Sequence, residues 1–253
     1  MKALIILIVC ARVASASPDR KHLVTHAAIT VGGGVAWIFS ETAFKASLAP
    51  DACRWCGTNG FDDRVRSALV WHGDNTGTAD FLSSLDAFML VPAIPYLLSV
   101  TPTLRADRSE GIDDALAITE AGVATALVDQ VVKFSAGRQR PFVHYITGAR
   151  NGDSDDNLSF FSGHTSLAFA LATAGGTIAS KRHQRWAPVV WGVGLGFAAT
   201  AGYLRIAADK HYATDVLTGA AVGTAAGLLV PRLHDHDLAV VPTGNGVAVT
   251  GVF

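Results

Sequence analysis

Hydrophobic residues along the chain fall into six long runs separated by polar segments. Each run is rich in Ala, Gly, Leu and Val and is long enough for about four turns of helix or more. They cover residues 22–40, 86–101, 114–133, 165–180, 187–204 and 214–230. In the third run, apolar side chains recur at helical spacing between charged ones, which is typical of an amphipathic helix. The pattern therefore predicts an all-α protein built on six helices.

The polar segments between these runs predict turns, loops and one hairpin. Pro92 and Pro95 interrupt the second run and predict a kink there. Residues 45–83 and 142–159 are long polar connections, which often act as lids or specificity elements beside a site. The last residues alternate around Gly244-Asn245-Gly246 and predict two short strands. We expect a helical domain over residues 18–232 and a β-like tail over residues 233–253.

The first 17 residues resemble a signal sequence and predict export. Lys2 is followed by an apolar run and by the small residues Ala14-Ser15-Ala16, although Arg12 is unusual in such a segment. An uncleaved amphipathic start is the alternative. Removal of this segment leaves two cysteines, Cys53 and Cys56, which we expect to form a local disulfide in an oxidising compartment. A redox Cys-x-x-Cys lacks its usual strand–helix–strand surroundings, and a zinc site would need two further ligands.

Composition favours burial of much apolar surface in a helical core or in lipid. Charged residues make up 16% of the chain, hydrophobic residues 50%, and mean hydropathy is +0.33. The net charge of −1 excludes the basic footprint of a nucleic-acid-binding protein. Lys181, Arg182 and Arg185 lie between the fourth and fifth runs, and the positive-inside rule places them in the cytoplasm. A cleaved signal followed by six spans gives the opposite orientation, so some helices would not span. We expect membrane association with an extracytoplasmic site.

Three separated motifs supply residues suited to phosphate chemistry. They read KFSAGRQRP at 133–141, FSGH at 161–164 and LRIAADKHYATD at 204–215. Lys133, Arg140 and Arg205 provide positive charge, and the two arginines can each bind two phosphate oxygens. Phosphoryl transfer depends mainly on positioning and charge stabilisation. These motifs therefore predict an oxyanion site without a metal, and we assign no residue as a metal ligand.

The same motifs contain candidates for an anion-binding helix end and for acid–base chemistry. Ser162 and Gly163 precede the fourth apolar run, where free N–H groups of a helix N-terminus would face an anion. His164 and His211 are candidates for proton transfer and nucleophilic attack. Asp215 lies four residues after His211 and would face it in a helix.

Together the motifs resemble the type 2 phosphatidic-acid phosphatase and vanadium haloperoxidase superfamily. Its pattern reads Lys-x6-Arg-Pro, then Pro-Ser-Gly-His, then Ser-Arg-x5-His-x3-Asp; here Phe161 replaces the proline and Leu204 replaces the serine. The resemblance covers residues 110–232 and implies a six-helix bundle with its site at one end. It implies that His211 is the nucleophile and forms a phosphohistidine, that His164 is the general acid, and that Asp215 orients His211. It also implies that no cofactor is needed and that vanadate inhibits.

Several alternatives remain open from the sequence. The substrate is a phosphorylated lipid, an isoprenyl diphosphate or a small phosphate ester, and an alcohol in place of water would make the protein a lipid phosphotransferase. A vanadate-dependent haloperoxidase and a non-catalytic membrane protein of the same fold are further alternatives. Asp129 either pairs with Lys133 or belongs to a solvated acidic face. Asp153, Asp155 and Asp156 resemble a calcium loop only loosely, without its spacing or closing Glu.

Overall fold

The computed structural model describes residues 18–72, 75–145, 153–235, 239–243 and 246–250. The predicted signal segment and Cys10 lie outside the described residues.

Nine helices and one β-hairpin make up the described part of the chain. The helices are α1 (Pro18–Glu41), α2 (Lys45–Leu48), α3 (Gly60–Leu69), α4 (Asn75–Ala106), α5 (Arg108–Ala136), α6 (Pro141–Tyr145), α7 (Gly163–Lys181), α8 (Ala187–Ala207) and α9 (Ala213–Asp235). All six predicted runs lie in the long helices α1, α4, α5, α7, α8 and α9, which confirms the all-α bundle. Helix α9 continues to Asp235, three residues beyond the predicted domain limit.

Helix α4 accommodates its two prolines by changing its winding. Its α-helical parts are Asn75–Leu85, Val91–Pro95 and Thr101–Ala106, and π-helical turns occupy Asp86–Leu90 and Tyr96–Val100. Both prolines lie in the short central α part, where each removes a backbone N–H. The helix continues through this region because the wider π turns on either side change the hydrogen-bonding register.

The prediction that residues 45–83 form a polar connection is wrong in part, because α2, α3 and the first turns of α4 fall within it. Helix α3 begins after Asn59, whose side chain accepts hydrogen bonds from the backbone N–H groups of Phe61 and Asp62. Its sequence, GFDDRVRSAL, is too polar to register as an apolar run. The length of apolar runs alone therefore does not predict this helix.

Helix α7 is the central helix, and α9 packs directly on its backbone. Gly219, Gly223 and Gly227 recur at four-residue spacing on the contacting face of α9. A Cβ atom at Gly223 would lie 2.1 Å from the carbonyl oxygen of Ser166, and one at Gly219 would lie 2.7 Å from that of Ser162. Only glycine permits this approach. The contact fixes the first turn of α7, which carries predicted site residues, against the second and third turns of α9, next to the turn that carries Asp215.

Five of the helices are long and apolar enough to cross a membrane. They are Lys21–Glu41 of α1, α4, α5, α8 and Ala213–His234 of α9. Large apolar side chains are exposed on these helices, a pattern expected where lipid rather than water is the neighbour. Examples are Val31, Phe39, Leu97, Val131, Val189 and Leu217.

The C-terminal tail contains the two strands that the sequence predicts. Strands β1 (Ala239–Thr243) and β2 (Gly246–Thr250) pair antiparallel, in a register that joins Ala239 to Thr250 and Thr243 to Gly246.

Candidate active site

A cavity of about 340 Å³ opens at one end of the bundle, where the three sequence motifs meet. Its lining includes six of the predicted residues, namely Lys133, Arg140, Gly163, His164, Arg205 and His211. Ser162 and Asp215 do not line it, but both are fully buried next to residues that do. Cys53 and Cys56 lie outside the cavity and are joined by a disulfide, as the sequence predicts.

Acidic residues hold Lys133 and Arg140, two of the cavity cations, in place. The ammonium of Lys133 lies 2.8 Å from Oδ2 of Asp129, which is buried. Asp129 therefore orients the lysine and does not belong to a solvated face. Nε of Arg140 donates to the backbone carbonyl of Asp155 over 2.8 Å, and the Asp155 carboxylate also pairs with Lys45.

Asp155 thus serves as a partner of cations. Burial opposes ionisation of this carboxyl group, but the positive charges of Arg140, Lys45 and Lys133 outweigh it and hold the pKa of Asp155 well below its usual range. Its place among these cations does not support the loose resemblance of this segment to a calcium loop.

Arg205 approaches the cavity from the end of α8 and is held by α4. One guanidinium nitrogen contacts the carboxylate of Asp80 and donates to Oγ of Ser83 over 3.0 Å. Lys210 lies 3.5 Å from the other oxygen of Asp80. Nε of Arg205 is buried and has no hydrogen-bond partner among the residues that the structure describes. A bound oxyanion would satisfy this donor.

The protonation state of His211 follows from its hydrogen bond. Nδ1 lies 2.7 Å from the backbone carbonyl oxygen of Ser159, which can only accept, so Nδ1 carries the proton. Nε2 therefore holds the lone pair, and it lies 3.5 Å from Nη1 of Arg140. Burial, reinforced by the charges of Arg140, Arg205 and Lys133, lowers the pKa of His211 well below its usual value. The side chain is a neutral base whose unprotonated nitrogen lies beside Arg140 in the cavity.

Asp215 acts on His211 indirectly, which differs from the expected direct pair. Its Oδ2 lies 3.8 Å from Nδ1 of His211, beyond hydrogen-bond distance. The expectation assumed a helix over both residues, whereas α9 begins at Ala213. Asp215 instead accepts from Oγ of Ser159 over 2.6 Å and from the backbone N–H of Tyr212. Ser159 therefore connects the two, because its hydroxyl binds Asp215 and its carbonyl binds His211.

Arg138 organises this region and was missed by the sequence analysis. It is fully buried, and its guanidinium binds Asp62 of α3 over 2.8 Å and the carboxylate of Asp215. The rings of Trp55 and Tyr212 lie on it, at 4.1 and 4.2 Å from the guanidinium carbon to the ring centroids. It stands two residues before Arg140 in the first motif. Spacing alone does not show which of the two arginines faces the cavity.

The first turn of α7 presents His164 to the cavity beside the lysine. Nε2 of His164 lies 3.2 Å from Oγ of Ser84, and its ring meets that of Phe88 edge-on. Burial, followed by the charges of Arg205, Lys133 and Arg140, lowers the pKa of His164 well below its usual value. A Cβ atom at Gly163 would lie 2.6 Å from Oδ2 of Asp129 and 3.0 Å from Nζ of Lys133. Glycine here lets the Lys133–Asp129 pair lie against the N-terminus of α7.

Other residues that line the cavity were not predicted. Lys210 lies within the third motif, and Glu41, Lys45, Asp80, Ser84 and Phe88 come from segments without a motif. A signal for three of them was present, because Asp80, Ser84 and Phe88 recur every four residues and so share one face of a helix. They were missed because the predicted second helix began only at residue 86.

Apolar side chains also line the cavity. They are Trp37 of α1, Phe88 of α4, Ala126 of α5 and Leu167 of α7. The lining of the cavity therefore combines charged groups with hydrophobic side chains.

Comparison with known proteins agrees with the arrangement of the three motifs. Residues 114–238, which contain all of them, match the model of the PAP2 superfamily. The chain belongs to the PAP2 superfamily. It is 31% identical over 171 residues to a lipid A 1-phosphatase of Porphyromonas gingivalis, an alignment that covers 66% of this chain. The chain spans only 34% of that PAP2 relative's length.

A solved PAP2 structure shares the fold. The transmembrane PAP2 type phosphatidylglycerolphosphate phosphatase of Bacillus subtilis superimposes with a TM-score of 0.53 at 18% sequence identity. The superposition covers 82% of this chain and 96% of that one. Together with the five long apolar helices, the shared fold supports membrane association of this PAP2 protein.

Proposed function

We propose that the protein is a metal-independent phosphatase that hydrolyses a phosphomonoester or diphosphate of a lipid through a phosphohistidine intermediate. The observation that carries the proposal is the state of His211. Its proton is committed to the Ser159 carbonyl, so Nε2 is an unprotonated nucleophile, and it lies beside Arg140 inside a cation-lined cavity.

In the first step Nε2 of His211 attacks phosphorus, a P–N bond forms, and the P–O bond to the leaving group breaks. His164 donates a proton to the departing oxygen. Burial and the neighbouring cations lower its pKa, and the negative charge of a bound phosphoryl group raises its affinity for that proton. In the second step His164 takes a proton from water, the hydroxide attacks phosphorus, and the P–N bond breaks to release phosphate.

The cations supply the stabilisation that a metal ion provides in other phosphatases. Lys133, Arg140 and Arg205 line the same cavity as Nε2 of His211, and each is positioned by a carboxylate or a carbonyl group. Charge on the equatorial oxygens increases in the transition state, so fixed donors lower the barrier without reorganising. The N-terminus of α7 adds backbone N–H groups to the same cavity.

A lipid substrate is favoured by the apolar side chains in the cavity lining, Trp37, Phe88, Ala126 and Leu167. A phosphate on a hydrocarbon chain can place its charged end among the cations and its first methylene groups against these side chains. The relatives named above are phosphatases of lipid substrates, which supports the same class here.

We further propose that the site faces the oxidising, extracytoplasmic side. The loop of the Cys53–Cys56 disulfide packs beside the site, where backbone N–H groups of Arg54 and Trp55 donate to the carbonyl of Gly137. A disulfide persists in an oxidising compartment. A membrane-impermeant thiol reagent should leave both cysteines unlabelled in intact cells until a reductant is added. Labelling without reductant would contradict this orientation.

The chemistry is tested by phosphate release from purified protein in detergent with EDTA, across lipid phosphates, isoprenyl diphosphates and soluble esters. We expect release to persist in EDTA, to be inhibited by vanadate and to be fastest with a lipid substrate. Activity that disappears in EDTA at a temperature where the protein stays folded, and returns with added metal, would overturn the mechanism.

The intermediate is tested by quenching labelled substrate in alkali. Wild-type protein should carry a base-stable, acid-labile phosphate that His211→Asn lacks. Label on Ser162 would show that the nucleophile is assigned wrongly. Adding an alcohol during turnover separates the phosphatase from a lipid phosphotransferase, because a transferase would give a new phosphate ester in place of free phosphate.

A further inference from the structure

Three histidines meet at the end of the bundle opposite the candidate active site. His22 and His26 lie four residues apart near the start of α1, so they share one face, and His234 lies in the last turn of α9. The three ring centroids are 4.2 to 4.9 Å apart. One nitrogen from each ring lies within 4.8 Å of the others. Asp113 and Glu120 of α5 complete this group, which we call the distal histidine cluster.

Hydrogen bonds orient two of these rings in the way that metal-binding histidines are oriented. Oε2 of Glu120 lies 2.9 Å from Nδ1 of His26 and 2.9 Å from Nδ1 of His234. An ionised carboxylate only accepts, so both Nδ1 atoms are donors and Nε2 of each ring is left to face a metal ion. Nε2 of His234 also donates to Oδ1 of Asp113 over 3.0 Å, so a bound metal ion would displace the proton from this nitrogen. A carboxylate that accepts from the far nitrogen of a ligating histidine is the usual outer-shell partner at metal sites.

The spacing of the remaining donor atoms fits a small tetrahedral ion. Oδ1 of Asp113 lies 3.0 Å from Nε2 of His234 and 3.6 Å from Nδ1 of His22. Bonds of about 2.0–2.1 Å to a tetrahedral ion place neighbouring ligand atoms about 3.3 Å apart. The two separations lie on either side of that value, so small side-chain movements would bring Asp113, His22 and His234 into one coordination sphere.

Burial and charge also favour a cation at this position. His26 and His234 are 3% and 1% exposed, whereas the side chains of His22 and Asp113 are 19% and 31% exposed. The inner ligands are therefore shielded and the outer two provide a path of entry. Once a metal ion has displaced the second proton of His234, the cluster carries two negative charges, on Asp113 and Glu120. A divalent ion compensates both in an environment where isolated charges are costly.

We propose that the distal histidine cluster binds one divalent transition-metal ion of the zinc type, with His22, His26, His234 and Asp113 as ligands and Glu120 as the orienting carboxylate. Imidazole with one carboxylate is a donor set that suits Zn²⁺ and Co²⁺. The ion joins α1, α5 and α9 at the end of the bundle away from the phosphate site. Its role is structural, and it takes no part in phosphoryl transfer.

The experiment uses the full chain, purified in detergent, stripped with a chelator and titrated with Zn²⁺ or Co²⁺. We expect one bound ion per chain by elemental analysis, a visible Co²⁺ absorption typical of tetrahedral coordination, and a higher unfolding temperature with metal. His26→Gln should lose the bound ion, and Glu120→Gln should weaken binding by about 10- to 100-fold. His183→Asn is the matched control, because His183 is an exposed histidine at the same end of the bundle and should leave binding unchanged.

Wild-type protein that binds neither ion would overturn the proposal and leave a hydrogen-bonded network of histidines and carboxylates. Equal binding by wild type and His26→Gln would also overturn the proposal, because the ion would then be bound at an adventitious surface site. Phosphate release below the unfolding temperature should be the same with and without metal. Turnover that rises in proportion to bound metal would contradict the structural role. Phosphate release by His26→Gln serves as a separate measure of whether the active site is intact without the metal.

Discussion

Ser159 and Arg138 show how much of the site depends on residues without chemical function of their own. Ser159 holds Nδ1 of His211 through its carbonyl and Asp215 through its hydroxyl. Arg138 holds Asp215 and Asp62 while two aromatic rings enclose it. The sequence predicted the groups that face the cavity, because their charges and order follow a motif. It did not predict these supports, since a buried serine or arginine carries no distinguishing pattern.

The contribution of Arg138 to the stability of the fold can be measured directly. Arg138→Met leaves the carboxylates of Asp62 and Asp215 buried without their partner, and removal of one member of a buried ion pair typically costs about 3–5 kcal/mol. We expect a large fall in unfolding temperature in detergent, together with loss of phosphate release. Arg185→Met is the control, because Arg185 is exposed and lies 4.0 Å over the ring of Trp186, an interaction worth about 0.5–1 kcal/mol. Equal shifts in the two variants would show that the Arg138 pairs contribute little.

Protonation of His211 gives a second test at the level of one side chain. Its pKa is lowered in the folded protein, so as the pH falls through the unfolded value near 6.5 the unfolded chain takes up a proton before the folded chain does. Stability is therefore full above the unfolded pKa, near 6.5, and falls as the pH drops below it. The loss is up to about 2 kcal/mol at pH 5 for this group. His211→Asn keeps a donor for the Ser159 carbonyl and should lose less stability over this interval, as measured by thermal unfolding. The same pH dependence in both proteins would contradict the neutral, buried assignment.

At the scale of elements, hydrophobic periodicity was sufficient for the long helices and insufficient for the short ones. The six apolar runs correspond to six long helices because burial, in core or lipid, sets their composition. Helix α3 and the first turns of α4 escaped because their helical state depends on an Asn59 cap and on packing against the site. These are the segments that contribute Asp62 and Asp80. The sequence thus located cations of the cavity, but not the α4 residues that line it or Asp62 of α3, which binds Arg138.

The contact between α7 and α9 is the element-level feature with the clearest mutational consequence. Gly223→Ala would place a methyl group 2.1 Å from a backbone oxygen, and backbone cannot move aside as a side chain can. We expect destabilisation of about 1–3 kcal/mol or more, with displacement of the first turns that carry His164 and Asp215. The matched control is Gly192→Ala in α8, where no atom lies within 4 Å of the added Cβ. That change should be neutral or stabilising by up to about 1 kcal/mol through helix propensity.

Activity measurements distinguish displacement from simple loss of stability. Phosphate release by Gly223→Ala, measured well below its unfolding temperature, should fall by roughly 100-fold, the effect expected when catalytic groups shift by about 1 Å. Wild-type turnover in a destabilised but folded Gly223→Ala protein would show that the helix contact does not set the geometry of the site.

At the scale of the whole molecule, polar groups cluster at the two ends of the bundle and apolar side chains cover the helix faces between them. The charged cavity lies at one end and the distal histidine cluster at the other, with apolar helix faces between them. The sequence indicated this only in outline. Its two topological signals disagreed on orientation, and the part of the structure that is described contains five helices suited to crossing a membrane rather than six. The central helix α7 is not among these five and is largely buried by its neighbours.

If the protein acts on a lipid as proposed, the apolar residues that line its cavity also determine which concentration of substrate controls the rate. A substrate that reaches the cavity along Trp37 and Phe88 arrives by diffusion within a two-dimensional layer, so its mole fraction at that surface, and not its molarity, sets the rate. Diluting a lipid substrate with inert detergent at constant bulk concentration should therefore slow turnover, whereas a water-soluble ester should be unaffected. For such an enzyme, the half-saturation constant is a surface density, and neighbouring lipids act as competitors simply by occupying area.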